Sequence, residues 1–149
     1  YGFAVAFIDS LKAAVAVWLT QAIFPSAPAL PYLAGLMSIL GHNFPFYLKF
    51  RGGKGVATLV GMIFGLKFPL GFLFILLVIV PALVADYIVV GSLTAFIALP
   101  IAGYLMGYEM PLIIFSALLT LLAFYMHRGN FQRIRNKEET RISDVLKRK

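Results

Sequence analysis

Five stretches of this sequence contain no Asp, Glu, Lys or Arg: residues 13–48, 55–66, 68–85, 87–108 and 110–126. Uncharged apolar runs of this kind read as membrane spans, because about 20 residues of helix at 1.5 Å each cross the roughly 30 Å hydrocarbon layer. The expected fold is all-α, a polytopic integral membrane helix bundle. Composition agrees with that reading. Hydrophobic residues make up 61% of the 149, and charged residues only 13%, against about 45–50% and about 25% in soluble domains.

The chain has no cysteine and two histidines, His42 and His127, which excludes disulfides, thiolate chemistry and a His-rich metal cluster. The net charge of +7 does not point to nucleic acid. Eight of the thirteen basic residues lie in 127–149 and three more in 49–54, the distribution of cytoplasmic membrane loops. No basic leader region or small-residue cleavage site opens the chain, so no signal peptide is expected.

The first apolar helix is expected over 1–24, ending where Pro25 and Pro28 cannot continue it. A second runs from about 29 to 42, and Asn43-Phe44-Pro45 breaks it. The basic, glycine-rich segment 49–55 is a loop that leads into a short helix, 56–66. If both basic regions are cytoplasmic, an even number of crossings separates them. Residues 87–107 and 110–126 supply two crossings, so 56–85 must break at Lys67-Phe68-Pro69 and supply two more. The helix 56–66 then covers only about 17 Å and must start below the surface or thin the bilayer. This topology gives about six spans and places Lys49, Arg51, Lys54, Ser92, His127, Arg128 and Asn130 on one, cytoplasmic, face. Residues 1–130 form the membrane core. Residues 131–149, with three acids and seven bases, form a basic cytoplasmic tail that is amphipathic or mobile.

Arg51-Gly52-Gly53-Lys54-Gly55 ahead of a helix has the parts of a phosphate cradle: glycines for close backbone approach, a positive helix end, and a lysine. It lacks the Gly-Lys-Ser/Thr and the parallel sheet of a P-loop. Spacing alone leaves open a plain basic loop that fixes orientation and touches anionic headgroups. His42 taken alone is a helix-end histidine bonded to backbone carbonyls. Asp9 and Lys12, three apart on one helix face, are a membrane-buried pair that serves either function or helix locking. Ser92 has the position of a cap, and His127, Arg128 and Asn130 that of helix-end polar groups.

Residues 41–58, GHNFPFYLKFRGGKGVAT, strongly resemble the signature G-H-x-x-P-x-x-x-x-F-[KR]-G-G-K-G-V-A-T of the bacterial membrane-bound acyl-phosphate:glycerol-3-phosphate acyltransferases. Phe7–Ala13 resembles that family's F-x-D-x-x-K-[GA], Tyr87–Ser92 its Y-V-S-L-[GA]-S, and His127-Arg128-Gly129-Asn130 its closing H-R-E-N, all in family order. Three positions depart from the pattern: Gly129 stands where the family has glutamate, Asp86 where a basic residue often precedes the tyrosine, and Val90 where the first serine falls. The family's first span and a G-S-G-N-x-G-A-T-N loop have no counterpart, so the chain is expected to be an N-terminally truncated member with about six of seven spans. Activity of this chain by itself is left open.

The resemblance implies transfer of an acyl group from acyl phosphate to the 1-hydroxyl of glycerol 3-phosphate, giving lysophosphatidate and phosphate in phospholipid synthesis at the bacterial inner membrane. It makes Lys54, His127 and Ser92 the catalytic candidates. Arg51, Gly52, Gly53, Lys54, Gly55, His42 and Asn130 become phosphate-binding candidates, with Asp9, Lys12 and Thr58 supporting. Glycerol 3-phosphate, acyl phosphate, membrane lipid and the enzyme that forms acyl phosphate are the implied partners; no metal, cofactor or nucleic acid is expected. The competing class is a transporter or channel for an anionic or phosphorylated solute, which shares the spans and the basic face. Against it, the cations gather on one face and no inverted repeat is visible. A lipid-binding or assembly subunit without chemistry is the third reading.

Overall fold

A computed structural model describes residues 2–147. The apolar helices are α1 (Gly2–Ile23), α2 (Ala29–Asn43), α3 (Val56–Leu66), α4 (Phe68–Ala85), α5 (Ile88–Leu105) and α6 (Met110–Met126); α7 (Arg128–Arg135) and α8 (Ile142–Lys147) complete the chain. Their ends follow local chemistry. Lys67 is extended between α3 and α4, with Pro69 in the first turn of α4, where a missing N–H costs nothing. Asp86 and Gly107 turn the chain at positive φ, 64° and 78°.

Lipid is as apolar as leucine, so helices in a bilayer associate through close packing and small residues rather than by exclusion from water. Gly61 and Gly65, four apart on α3, let that helix lie against α1. A Cβ on Gly61 would fall 1.9 Å from the Ser10 carbonyl oxygen, and one on Gly65 2.7 Å from Val17 Cβ. The Ser10 hydroxyl donates to the Ala57 carbonyl at 2.8 Å. These contacts advance together along both helices, so α1 and α3 run in the same direction. Gly35 of α2 meets Met62, and Ile39 meets Gly55, which makes α2 antiparallel to α3. Gly71 receives the Phe64 ring, and Gly91 lies against the Val78 carbonyl, so α3–α4 and α4–α5 are hairpins. Thr120 of α6 donates to the Phe96 carbonyl of α5 at 2.7 Å.

As a result the C-termini of α2, α4 and α6 and the N-termini of α3 and α5 share one face of the bundle. The break at Lys67 therefore stands as expected. The expected six spans correspond to six apolar helices, but among the described residues α1, α4 and α5 alone are long and apolar enough to cross by themselves. The pair α6–α7, bent by 41°, makes a fourth at most. At 1.5 Å per residue α2 and α3 reach only about 22 and 17 Å. The expected core–tail boundary at 130/131 falls inside α7, and the chain beyond it folds back onto the α4–α5 turn.

Candidate functional site

The basic loop is built against the end of α2. The Gly52 N–H donates to the Asn43 carbonyl at 3.1 Å, and the Gly53 N–H to the His42 carbonyl at 3.2 Å. A Cβ at Gly52 would lie 2.1 Å from the His42 carbonyl oxygen, a backbone atom that cannot step aside, and one at Gly53 2.1 Å from His42 Nε2, so that a side chain there would displace the His42 ring. Both N–H groups are thus occupied by α2, whose final carbonyls need donors. At the start of α3 the Lys54 and Gly55 N–H groups meet no carbonyl among the described residues. Gly55, at φ 77°, turns the chain into that helix.

Beneath the loop, Lys12 bonds Asp9 at 2.6 Å and His42 Nδ1 at 2.9 Å, and His42 Nδ1 is 3.3 Å from the same carboxylate. This triad ties α1 to α2 and, through the His42 ring, to Gly53. Thr58 is fully buried with an unpartnered hydroxyl oxygen, and Arg51 is exposed on the loop.

A cavity of about 960 Å³ opens between α1, α3, α4 and α5. Phe7, Val60, Phe64, Phe72 and Ile79 are among its walls, and Ser10, Lys54, Ser92, His127, Asn130 and Glu139 its polar lining. Of the residues expected from sequence, Lys54, Ser92, His127 and Asn130 therefore meet at one place. Asp9, Lys12, His42, Arg51, Gly52, Gly53, Gly55 and Thr58 stand outside the cavity wall.

The polar groups have defined states. His127, 2% exposed, bonds the Ala123 carbonyl through Nδ1 at 2.8 Å. Because a carbonyl only accepts, Nδ1 carries the proton and Nε2 of the neutral ring is an acceptor. The Ser92 hydroxyl donates to the Ile88 carbonyl at 3.0 Å and keeps its lone pairs for a ligand. Lys54 Nζ donates to Asn130 Oδ1. Asn130 Nδ2 donates to Glu139 at 2.6 Å, and Arg133 Nε donates to the other oxygen of that carboxylate at 2.6 Å. Burial, and then the Arg133 charge, push Lys54 below the ordinary lysine value, while Glu139 pulls it back. Burial works against the charge of Glu139, but the hydrogen bonds from Asn130 and Arg133 outweigh it and hold the carboxyl below its usual range.

Arg133 and Glu139 escaped the sequence reading. Arg133 lies three residues after Asn130, on the same face of α7, and that spacing was available. Glu139 carried no signal, since its place depends on the chain reversing after α7.

The family model described as glycerol-3-phosphate acyltransferase matches residues 1–137. The chain belongs to this family. The glycerol-3-phosphate acyltransferase of Pelagibacter ubique (strain HTCC1062) is 39% identical over 140 residues, 94% of this chain and 71% of that protein. Glycerol-3-phosphate acyltransferase 1 of Oceanobacillus iheyensis is 35% identical over 157 residues, covering 100% of this chain and 75% of that one. The crystal structure of PlsY, an integral membrane glycerol 3-phosphate acyltransferase, in its glycerol 3-phosphate form superposes with a TM-score of 0.83 at 30% identity, over 98% of this chain and 74% of that chain. The lysophosphatidic acid form of PlsY gives 0.81 over 95% and 72%. The helical bundle is thus that of an integral membrane acyltransferase family, and the convergence of Lys54, Ser92, His127 and Asn130 belongs to a member of it.

Proposed function

We propose that this chain moves a fatty acyl group from acyl phosphate to the 1-hydroxyl of glycerol 3-phosphate, releasing lysophosphatidate and inorganic phosphate at the cytoplasmic face of a bacterial inner membrane. The observation that carries the reading is the cavity itself: an apolar space between helices large enough for an acyl chain, with a lysine, a serine, a histidine and an asparagine among its polar groups. Lys54 and the N-terminus of α3 hold substrate phosphate and stabilise the charge that develops on the leaving phosphate. Ser92 and Asn130 orient glycerol 3-phosphate. The hydroxyl oxygen attacks the acyl carbonyl carbon, and the bond from that carbon to the phosphate oxygen breaks with its electron pair going to phosphate. The hydroxyl proton passes to His127 Nε2 or to a substrate phosphate. Acyl phosphate is already activated, so no covalent enzyme intermediate is needed. The Asp9–Lys12–His42 triad holds the loop that carries Lys54. The positive-inside distribution of Lys49–Lys54 and the tail supports the cytoplasmic orientation, and the enzyme that makes acyl phosphate is the natural neighbour.

The test is release of inorganic phosphate from palmitoyl phosphate by the chain in lipid nanodiscs, with and without glycerol 3-phosphate. Release that requires glycerol 3-phosphate is expected. Folded protein that moves glycerol 3-phosphate across liposomes without acyl transfer would replace this reading with a transporter.

A further inference from the structure

The tail returns to the cavity mouth and is pinned at both ends. At its start, Lys137 turns at φ 61°, and the Glu138 and Glu139 N–H groups donate to the Arg133 carbonyl at 2.7 and 3.2 Å. At its far end, Asp86 receives the Ser143 N–H at 2.8 Å and the Ser143 hydroxyl at 2.6 Å, while the Asp86 carbonyl receives the Ile142 N–H at 3.1 Å. Between these anchors the Glu139 side chain is 14% exposed and reaches into the polar cluster.

The polarity of that cluster is forced at every step. Lys54 and Arg133 only donate, a carboxylate only accepts, and an asparagine amide does one at each end. Asn130 Oδ1 can face Lys54 only if its Nδ2 faces an acceptor, and Glu139 is that acceptor. The second carboxylate oxygen must meet a donor, and Arg133 supplies it. A glutamine at 139 could not serve both neighbours, because its single oxygen would satisfy one and its amino group would confront the other.

We propose that Glu139 is a positioning residue for the glycerol 3-phosphate site: by accepting from Asn130 it sets the sense of that amide, and through it the place of the Lys54 ammonium. The inference rests on the acyltransferase reading for its ligand. The strap from Glu139 to Ser143 makes the tail part of the active site.

The test is glycerol 3-phosphate affinity by calorimetry in nanodiscs, as a double-mutant cycle. Glu139→Gln is expected to weaken binding about tenfold in the parent, and to change it less than about twofold in an Asn130→Ala background. Equal losses in both backgrounds would overturn the proposal, since they would mean a general structural effect. Unchanged or tighter binding by Glu139→Gln alone would also overturn it, the second by showing that the carboxylate occupies the anion's place. Ser143→Ala leaves the residues of the cluster unchanged, removes one of the three bonds that pin the strap, and is expected to weaken binding in the same direction by a smaller factor; binding tighter than the parent's would overturn the proposal. If the parent binds no glycerol 3-phosphate, the acyltransferase reading has failed. The seating of Glu139 among Lys54, Arg133, Asn130 and His127 is then read from the pH dependence of Lys54 methylation. A lower midpoint in Glu139→Gln supports the relay, and an unmoved one overturns it.

Discussion

Gly61→Ala tests the contact on which the site depends. The new methyl carbon would fall 1.9 Å from the Ser10 carbonyl oxygen and 2.5–2.6 Å from the carbonyl carbon and Cα of Ser10. These are backbone atoms of α1, so rotamer change gives no relief. Ordinary contact begins near 3.4 Å, and α1 must retreat by about 1.5 Å. That takes the 2.8 Å bond from Ser10 to the Ala57 carbonyl out of range. The Ser10 hydroxyl falls back on the Ala6 carbonyl, which it already reaches at 2.9 Å, so the bond lost is worth only about 0.6 kcal/mol in a membrane. Overpacking adds about 1–3 kcal/mol, and the better helix propensity of alanine returns up to about 1 kcal/mol. The net loss is about 1–3 kcal/mol, or about 3–10 °C in Tm for a chain of this size. The control is Gly41→Ala, on α2, where a Cβ meets nothing within 4 Å; it carries the propensity gain without the clash. Thermal unfolding in detergent should place Gly61→Ala several degrees below the parent and Gly41→Ala at or above it. Coincident melts for the two variants would refute the packing of α3 against α1.

Lys54→Ala is expected to fold with a near-parental Tm and to lose nearly all glycerol 3-phosphate-dependent phosphate release; near-normal turnover would remove the lysine from the site. Because burial lowers the Lys54 pKa, and the charged form binds phosphate, KM for glycerol 3-phosphate should rise with pH below the range of an ordinary lysine. A profile flat through that range would contradict this. Gly52→Ala puts a Cβ 2.1 Å from the His42 carbonyl oxygen and should cut turnover more than tenfold by displacing the loop, measured beside an unchanged far-UV circular dichroism spectrum. Asp86 is held below the usual carboxylate range by the Ser143 side-chain and backbone hydrogen bonds. Its contribution to docking the tail is therefore complete above the unfolded pKa and lost as pH falls through the folded one. The protection factors of the Ile142 and Ser143 amides, taken relative to the intrinsic exchange rate at each pH, should fall at acid pH, and should already be low at neutral pH in Asp86→Ala; strong protection in that variant would mean the tail is held elsewhere.

The helix boundaries were readable because prolines and isolated charges end apolar runs in ways that survive tertiary context. The break at Lys67 followed from charge parity alone, and with it the common face of Lys54, Ser92, His127 and Asn130. What escaped was decided by contacts distant in sequence. The expected backbone cradle at Gly52 and Gly53 looks right as a string of residues. In the structure both N–H groups are occupied, because α2 ends beside them with two carbonyls to satisfy, and the nearest donors are those glycines. Glu139 was hidden for a similar reason: its partners Asn130 and Arg133 lie nine and six residues back across a chain reversal, while Asp86, 57 residues from Ser143, fixes the far end of the strap.

With the Gly52 and Gly53 N–H groups committed to α2, the glycines are a hinge plate bolted to a helix end, and their task is to bring Lys54 into the cavity while denying space to any side chain between loop and helix. In the proposed site, anion recognition draws on full charges and on the first turn of α3, and a lone lysine beside Arg133 in a half-buried site would repel its neighbour. Glu139 resolves that conflict by standing between the two cations through Asn130, leaving the cluster one positive charge in excess of a carboxylate instead of two. A phosphate entering there meets an ammonium already oriented by an amide whose direction has no alternative, so little reorganisation is left for the moment of binding, and the position of the tail becomes as consequential for the reaction as the loop itself.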